Sequence, residues 1–387
     1  MVDSLLDEAP EKPAFVQREL DRLAKEENPL IQLSIENDIQ IYVLHSQELQ
    51  LDHPVSAIEK GKSGDVYPAT LFESPVVIKF FLSQYPLNFL QNEFKTTVLS
   101  QKVQSSYLIR LLGIAVISQS GPQEEGFLDK IYFRFGLVFE KMQSNLPTYF
   151  DKFVKSEPNT TEKISHKINI AVQILTCLDN FLFGLPRQIH GLSIVLHRDI
   201  KPQNFQIISK FNGAFQIKMH EFGVANFFGL ENSAKIPILP PDKNNSSEAL
   251  VLRNPSTKQD EFCGSKLFAA PEILSGSDHM HNMAKEVWSI GVLFYYLFYE
   301  DLTPIELLVE KWKRGTLENP EISVNEKINN DEQISNFLKS LLQCSPNLRI
   351  HFDSLRDDLG RIKEKYEELM NSYHSQSLSK RLESPKS

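Results

Sequence analysis

The chain has 387 residues, 41% hydrophobic and 24% charged, the balance of a soluble globular protein able to bury a sizeable core. Its formal net charge of -9 argues against nucleic acid as the main partner, because a phosphate backbone needs a basic face. Cys177, Cys263 and Cys344 lie far apart and form no CxxC or Cys/His cluster, which fits reduced thiols better than a disulfide framework or a zinc site. Met1 to Pro10 lacks the apolar core of a signal peptide, and the longest apolar run, Ile290 to Tyr299, is too short to span a bilayer. A cytoplasmic protein without membrane insertion is expected.

Residues 1–52 read as a polar extension. Within it Val16, Leu20 and Leu23 recur at helical spacing between Pro13 and Glu27, before Pro29 stops the pattern. From Pro54 to Phe80 strands and turns take over, with a short buried strand Val76-Val77-Ile78 ending at Lys79. Tyr85 to Lys102 is predicted helical. Further strands are predicted at 109–114 and 135–139, around a polar loop from Ser118 to Asp129.

After Met142 the pattern is helical, with a long 3.6-residue rhythm from Lys163 to Phe183. Two short strands, 205–208 and 215–217, flank Asn212-Gly213, a strong hairpin signal. Residues 231–258 are rich in Pro, Asn and Ser and predict a loop, and helices resume at Pro271. Leu355, Leu359, Ile362, Tyr366 and Leu369 predict a last helix that docks on the domain, with a disordered tip after about Tyr373.

The chemistry centres on His197-Arg198-Asp199-Ile200-Lys201-Pro202-Gln203-Asn204, followed by the hairpin and then Glu221-Phe222-Gly223. A carboxylate, a lysine and a carboxamide are groups chemically able to act as a proton acceptor, a cation and a hard oxygen ligand. Upstream, Gly61 and Gly64 sit between strands ahead of Val76-Val77-Ile78-Lys79, and glycines there let backbone amides approach phosphate oxygens.

These motifs, in this order, resemble those of the protein kinase superfamily, serine/threonine type, with EFG in place of DFG. The resemblance implies an α+β bilobal kinase-like fold, with a small β-rich lobe over 53–142 and a larger α-helical lobe over 143–358. The extension 1–52 and the tail 359–387 flank it. It implies transfer of the ATP γ-phosphate to serine or threonine hydroxyls of a protein, with magnesium. Asp199, Lys201 and Asn204 would be catalytic, and Asn204 and Glu221 would bind the metal. Ile58, Gly61, Gly64, Val66, Lys79, Glu93, Glu140 and Met142 would bind the nucleotide, with Phe139 at the back of its pocket. Ala270-Pro271-Glu272 matches a further motif, with Arg349 as the expected partner of Glu272. Ser265 takes the place of a threonine that contacts the Lys201 and Asp199 positions.

Glu286 stands where the family's large-lobe helix carries an aspartate. Three other departures bear on activity, the first being Glu59 in place of the first loop glycine. Counting back from Val98-Leu99 puts the helix partner of Lys79 nearer Lys95 than Glu93, for which a solvated helix face is the other reading. Glu221 adds one methylene, about 1.5 Å, to a metal ligand whose octahedral geometry is demanding. A pseudokinase that binds nucleotide or acts as a scaffold is therefore the alternative; a small-molecule phosphotransferase and a tyrosine kinase fit less well. Glu261, beside Asp260, falls where the family carries a phosphothreonine that pairs with the Arg198 position, so a permanent negative charge is expected there, with a solvated loop residue as the other reading. The peptide substrate and regulatory partner are not specified.

Overall fold

The computed structural model describes residues 42–45, 49–51, 57–61, 64–81, 87–120, 131–156, 161–190, 192–209, 214–229, 264–274, 283–314 and 331–383. The leader helix, Asn212-Gly213, the 231–258 loop and Asp260-Glu261 lie outside them. The described residues fall into two compact units. One draws on 1–102 and 110–141, the other on 103–109, 142–235 and 251–387.

The first unit is a sheet with one helix. Among the described residues its strands are β1 (Tyr42–His45), β2 (Leu49–Leu51), β3 (Glu59–Lys60), β4 (Gly64–Leu71), β5 (Ser74–Phe81), β6 (Leu111–Ser120) and β7 (Ile131–Glu140). They are ordered β1-β6-β7-β5-β4-β2, with β3 also on β4. Only three residues separate His45 from Leu49, yet β1 and β2 are the two ends of this order. A flat sheet would hold them about 24 Å apart, whereas that connection reaches about 14 Å, so the sheet must curl on itself. The concave side carries the core: Leu44, Leu49, Ala69, Val76, Ile78, Phe80, Ala115 and Val138.

Several expectations change here. Residues 42–51, read from sequence as extension, supply two strands of the sheet. The polar loop expected from Ser118 begins later, because β6 pairs with β7 as far as Ser120↔Ile131. Polar side chains do not stop a strand whose backbone finds a ladder. The helix expected over 85–102 is α1 (Leu87–Ser100), closed by a 3-10 turn at Gln101–Val103.

The β4–β5 hairpin turns through Phe72 and Glu73, with φ of 45° and 66°. A two-residue turn of this hand matches the twist of the strands but favours Asn-Gly. Phe72 is 71% exposed, so its ring adds little to the core. Replacing Phe72-Glu73 by Asn-Gly is expected to raise unfolding free energy by about 1 kcal/mol. An unchanged urea midpoint would show that the turn is unstrained.

The second unit is mainly helical. Its long helices are α2 (Thr161–Asp179), α3 (Met283–Tyr299), α4 (Thr303–Lys313), α5 (Glu332–Leu341) and α6 (Phe352–Glu383). By length and composition the helical run Thr161–Gln188 would pass for a membrane span, but more than half of it is buried inside the unit, as a core helix requires. Short strands are also present: β8 (Ser144–Asn145), β9 (Leu192–Leu196), β10 (Phe205–Ser209), β11 (Phe215–Met219) and β12 (Asn226–Gly229). β10 and β11 pair antiparallel from Phe205↔Met219 to Ser209↔Phe215, on either side of the Asn212-Gly213 position.

A simple division at residue 142 does not describe the units, because 103–109 joins the second. Ile109 N–H donates to Met219 O, and Met219 N–H to Tyr107 O, both at 2.9 Å. The tip expected to be disordered after Tyr373 continues as helix to Glu383. α6 packs along α2 and α3, burying Leu355, Leu359, Ile362 and Tyr366. The Tyr366 hydroxyl and Lys365 ammonium both donate to Asp331, at 2.5 and 2.8 Å.

Candidate active site

In the first unit, Lys79 Nζ lies 2.5 Å from Glu93 Oε1, and both side chains are buried. An ammonium withdrawn from water this far needs an anionic partner. Phe94 fixes which carboxylate arrives. Its ring leans on Phe81 at 4.8 Å, and Phe81 projects from the same face of β5 as Lys79. That contact sets the rotation of α1 and aims Glu93 at Lys79. Lys95, the position that counting favours, is about 200° farther round the helix, where burial pushes its ammonium down to about 8.

Val66 stands opposite Lys79 in the ladder, and Ile58 N–H donates to Val66 O at 2.8 Å. Gly61 N–H donates to Gly64 O at 2.9 Å. A Cβ on Gly64 would lie 2.3 Å from the Phe80 carbonyl oxygen, so the β4–β5 pairing requires glycine there whatever else it serves. Glu59, in place of the first glycine, is exposed. Glu140 ends β7 with its N–H on Arg110 O (3.2 Å) and its carboxylate accepting Arg110 N–H (2.8 Å). Its N–H is thus committed to the sheet. Phe139 is buried, and Met142 belongs to the second unit.

In the second unit the loop between β9 and β10 gathers the remaining groups. Arg198 takes a left-handed φ of 66°, held by its N–H donating to Glu286 (2.8 Å) and its side-chain Nε donating to Val224 O (2.8 Å). Asp199 follows. Its Oδ1 accepts Ser265 N–H at 2.9 Å, and its Oδ2 receives Lys201 Nζ at 2.6 Å. Lys201 also donates to Ser265 Oγ at 3.0 Å, and Asn204 Nδ2 to the Asp199 carbonyl at 2.7 Å. Asp199, Lys201, Asn204 and Ser265 therefore form one network. His197 sits behind it against Phe181 and Phe222, and burial pushes its imidazole down to about 4, so it stays neutral.

Glu221 also has a left-handed φ, 63°, and its Oε1 lies 3.8 Å from His220 Nδ1. Sequence reasoning passed over His220. Its N–H donates to Asn204 O at 3.0 Å, and its Nε2 lies 3.1 Å from Gln203 O and 3.2 Å from Gln206 Nε2. The one available signal was its place beside Glu221. Among the described residues no three His, Cys, Asp or Glu form a metal cluster. Asn204 commits its amide nitrogen to Asp199, which leaves its amide oxygen as a hard donor. With the Glu221 carboxylate this set fits magnesium, which takes few protein ligands and completes its shell with water and phosphate.

Behind the network, Glu272 and Arg349 form a two-pronged pair, both bonds at 2.7 Å. It anchors Pro271–Leu274, the short helix after Ser265–Ala270.

The Protein kinase domain family matches residues 53–358. The chain is similar to the probable serine/threonine-protein kinase KCC4 of Saccharomyces cerevisiae, with 28% identity over 207 residues, covering 52% of this chain and 16% of that one. It is 30% identical over 167 residues to the serine/threonine-protein kinase GIN4 of the same organism, covering 42% and 12%. It is also 30% identical over 185 residues to the serine/threonine-protein kinase ATG1 of Kluyveromyces lactis, covering 45% and 20%. The match thus spans a fifth or less of the length of these relatives. With more than three quarters of its residues inside the family match, this chain belongs to the protein kinase domain family, and its relatives are of the serine/threonine type.

Proposed function

We propose that the chain transfers the γ-phosphoryl group of ATP to serine or threonine hydroxyls of proteins. The observation that carries this reading is Asp199, oriented from both sides by Ser265 N–H and Lys201. The substrate hydroxyl gives its proton to Asp199 as its oxygen bonds to the γ-phosphorus. The bond from that phosphorus to the bridging oxygen breaks, and ADP leaves. Lys201, already beside Asp199, offsets charge spreading onto the phosphoryl oxygens. In the first unit Lys79, held by Glu93, supplies a cation for nucleotide phosphate. Ile58, Gly61, Gly64, Val66, Glu140 and Met142 carry the nucleotide-binding roles that family membership suggests. Asn204 and Glu221 would hold magnesium, which when bound neutralises phosphate charge.

A second reading, nucleotide binding or scaffolding without turnover, is favoured by Glu221, one methylene longer than the aspartate of the family motif. Peptide phosphorylation and ADP release, followed over a magnesium titration, separate the two. Turnover that requires magnesium supports phosphotransfer, and its absence with a degenerate peptide mixture supports the scaffold. Glu221→Asp is expected to lower the magnesium needed for half-maximal rate by about tenfold, because site errors near 1 Å cost up to about a hundredfold. A variant that needs more magnesium would show that the loop has adapted to glutamate.

A further inference from the structure

A hydroxyl that gives its proton to Asp199 arrives beside a carboxylate held by Ser265 N–H at 2.9 Å and Lys201 Nζ at 2.6 Å. The residues that flank it on the substrate chain then pass the loop carrying Asp199 or the stretch that follows Ser265. The charges those two stretches expose decide which flanking side chains are attracted. Their carboxylates are already engaged or hidden. Asp199 is paired with Lys201, and Glu272 is buried against Arg349. Gln203, the exposed side chain of the loop, is neutral.

One ammonium there is not engaged. Lys266 is exposed, at the start of the 3-10 turn Lys266–Phe268 that directly follows Ser265. Among the described residues its side chain makes no ion pair or hydrogen bond. Its backbone, by contrast, is fixed: Phe268 N–H donates to Ser265 O at 2.9 Å and Ala269 N–H to Lys266 O at 3.3 Å, with Phe268 and Ala269 buried beneath. A free surface lysine is common, but this one stands one residue from the Asp199 contact. Neighbouring Cα atoms are about 3.8 Å apart, and the flexible stem carries the charge about 6 Å from its own Cα. The ammonium therefore sweeps positions up to about 10 Å from the acceptor, which is about three residues of an extended peptide.

We propose that Lys266 selects protein substrates carrying an anionic side chain, a carboxylate or a phosphate, within about three residues of the acceptor hydroxyl. The inference rests on the phosphotransfer reading above and names the substrate class of that same site. The net charge of -9 on the whole chain repels such a substrate at long range. The preference is therefore positional, because an anion outside the reach of Lys266 meets only that repulsion, which salt screens.

Single-acceptor peptides that differ only in one residue, glutamate or lysine, placed two positions before or two positions after the acceptor, test this by kcat/KM with the full-length chain. The wild type is expected to prefer glutamate on one side by about threefold to fivefold, the range of an exposed ion pair, with the change carried by KM. Lys266→Glu should invert that preference and Lys266→Arg keep it, both melting close to wild type because the side chain is exposed. Glutamate about six residues away, roughly 20 Å, should bring no gain. Phosphoserine in place of the near glutamate separates the two anions. A gain well above that of glutamate assigns a previously phosphorylated substrate, and an equal gain an acidic one. A wild type that favours lysine or neither residue overturns the proposal, and so does a glutamate preference that Lys266→Glu leaves unchanged. If the wild type phosphorylates no peptide, the phosphotransfer reading fails. Anisotropy of the same peptides, fluorescently labelled, then decides the role of Lys266 alone: an affinity ratio that Lys266→Glu inverts supports it, and an unchanged ratio or no binding overturns it.

Discussion

Arg349→Ala is expected to lower unfolding free energy by about 3–5 kcal/mol, read as a shift of the urea midpoint at constant slope. The guanidinium makes both bonds to Glu272 and three more to the carbonyls of Gln343, Ala284 and Cys344. It also lies 5.1 Å from the Trp288 ring. Removing it leaves a buried carboxylate and three carbonyls without their donor, and the uncompensated charge dominates the cost. The double variant Glu272→Leu, Arg349→Leu is expected to recover most of the loss, since replacing both charges by apolar groups removes the penalty. A single-variant loss below about 1 kcal/mol would mean that water reaches Glu272.

Asp199→Asn is expected to lower phosphoryl transfer by about 10²–10⁴-fold while the melting temperature stays close to wild type. Asparagine keeps the shape and one oxygen for the Ser265 N–H, so the loop holds. The proposed proton acceptor and the counter-charge for Lys201 are both lost. Parallel peptide-phosphorylation and melting measurements distinguish the outcomes. Lost rate with an intact melt places Asp199 in the chemistry. Retained rate would remove it from the reaction, or reveal a contaminating kinase in the preparation.

The two predictions concern different kinds of legibility. The Glu272–Arg349 pair and the Asp199–Lys201–Asn204–Ser265 network join residues up to 77 apart, yet both were readable from linear motifs. Their identities and order are carried by short stretches that keep their own local geometry. The partner of Lys79 was ambiguous, because a helix of this length reads equally well in two rotations. Contact between Phe94 and Phe81 resolves it, and no spacing rule contains that contact. The strands at 42–51, 192–196 and 226–229 escaped notice because each is three to five residues long and exists only through its ladder partner. His220 escaped for a similar reason: its role depends on which carbonyls surround it.

Gly64, expected from the sequence to let a phosphate approach, has a cause of its own in the fold. Gly64 answers to the Phe80 carbonyl before any ligand arrives. By itself the sequence determined the kinase architecture and the order of residues in the Asp199–Asn204 loop, since motif order and hydrophobic period are properties of the chain. Tertiary structure alone decided which glutamate meets Lys79, that the sheet curls to bring strands from its two ends within reach of three residues, and that Glu286 is buried where it accepts the Arg198 N–H. Those outcomes depend on packing and desolvation, which arise only when distant segments exclude water from one another.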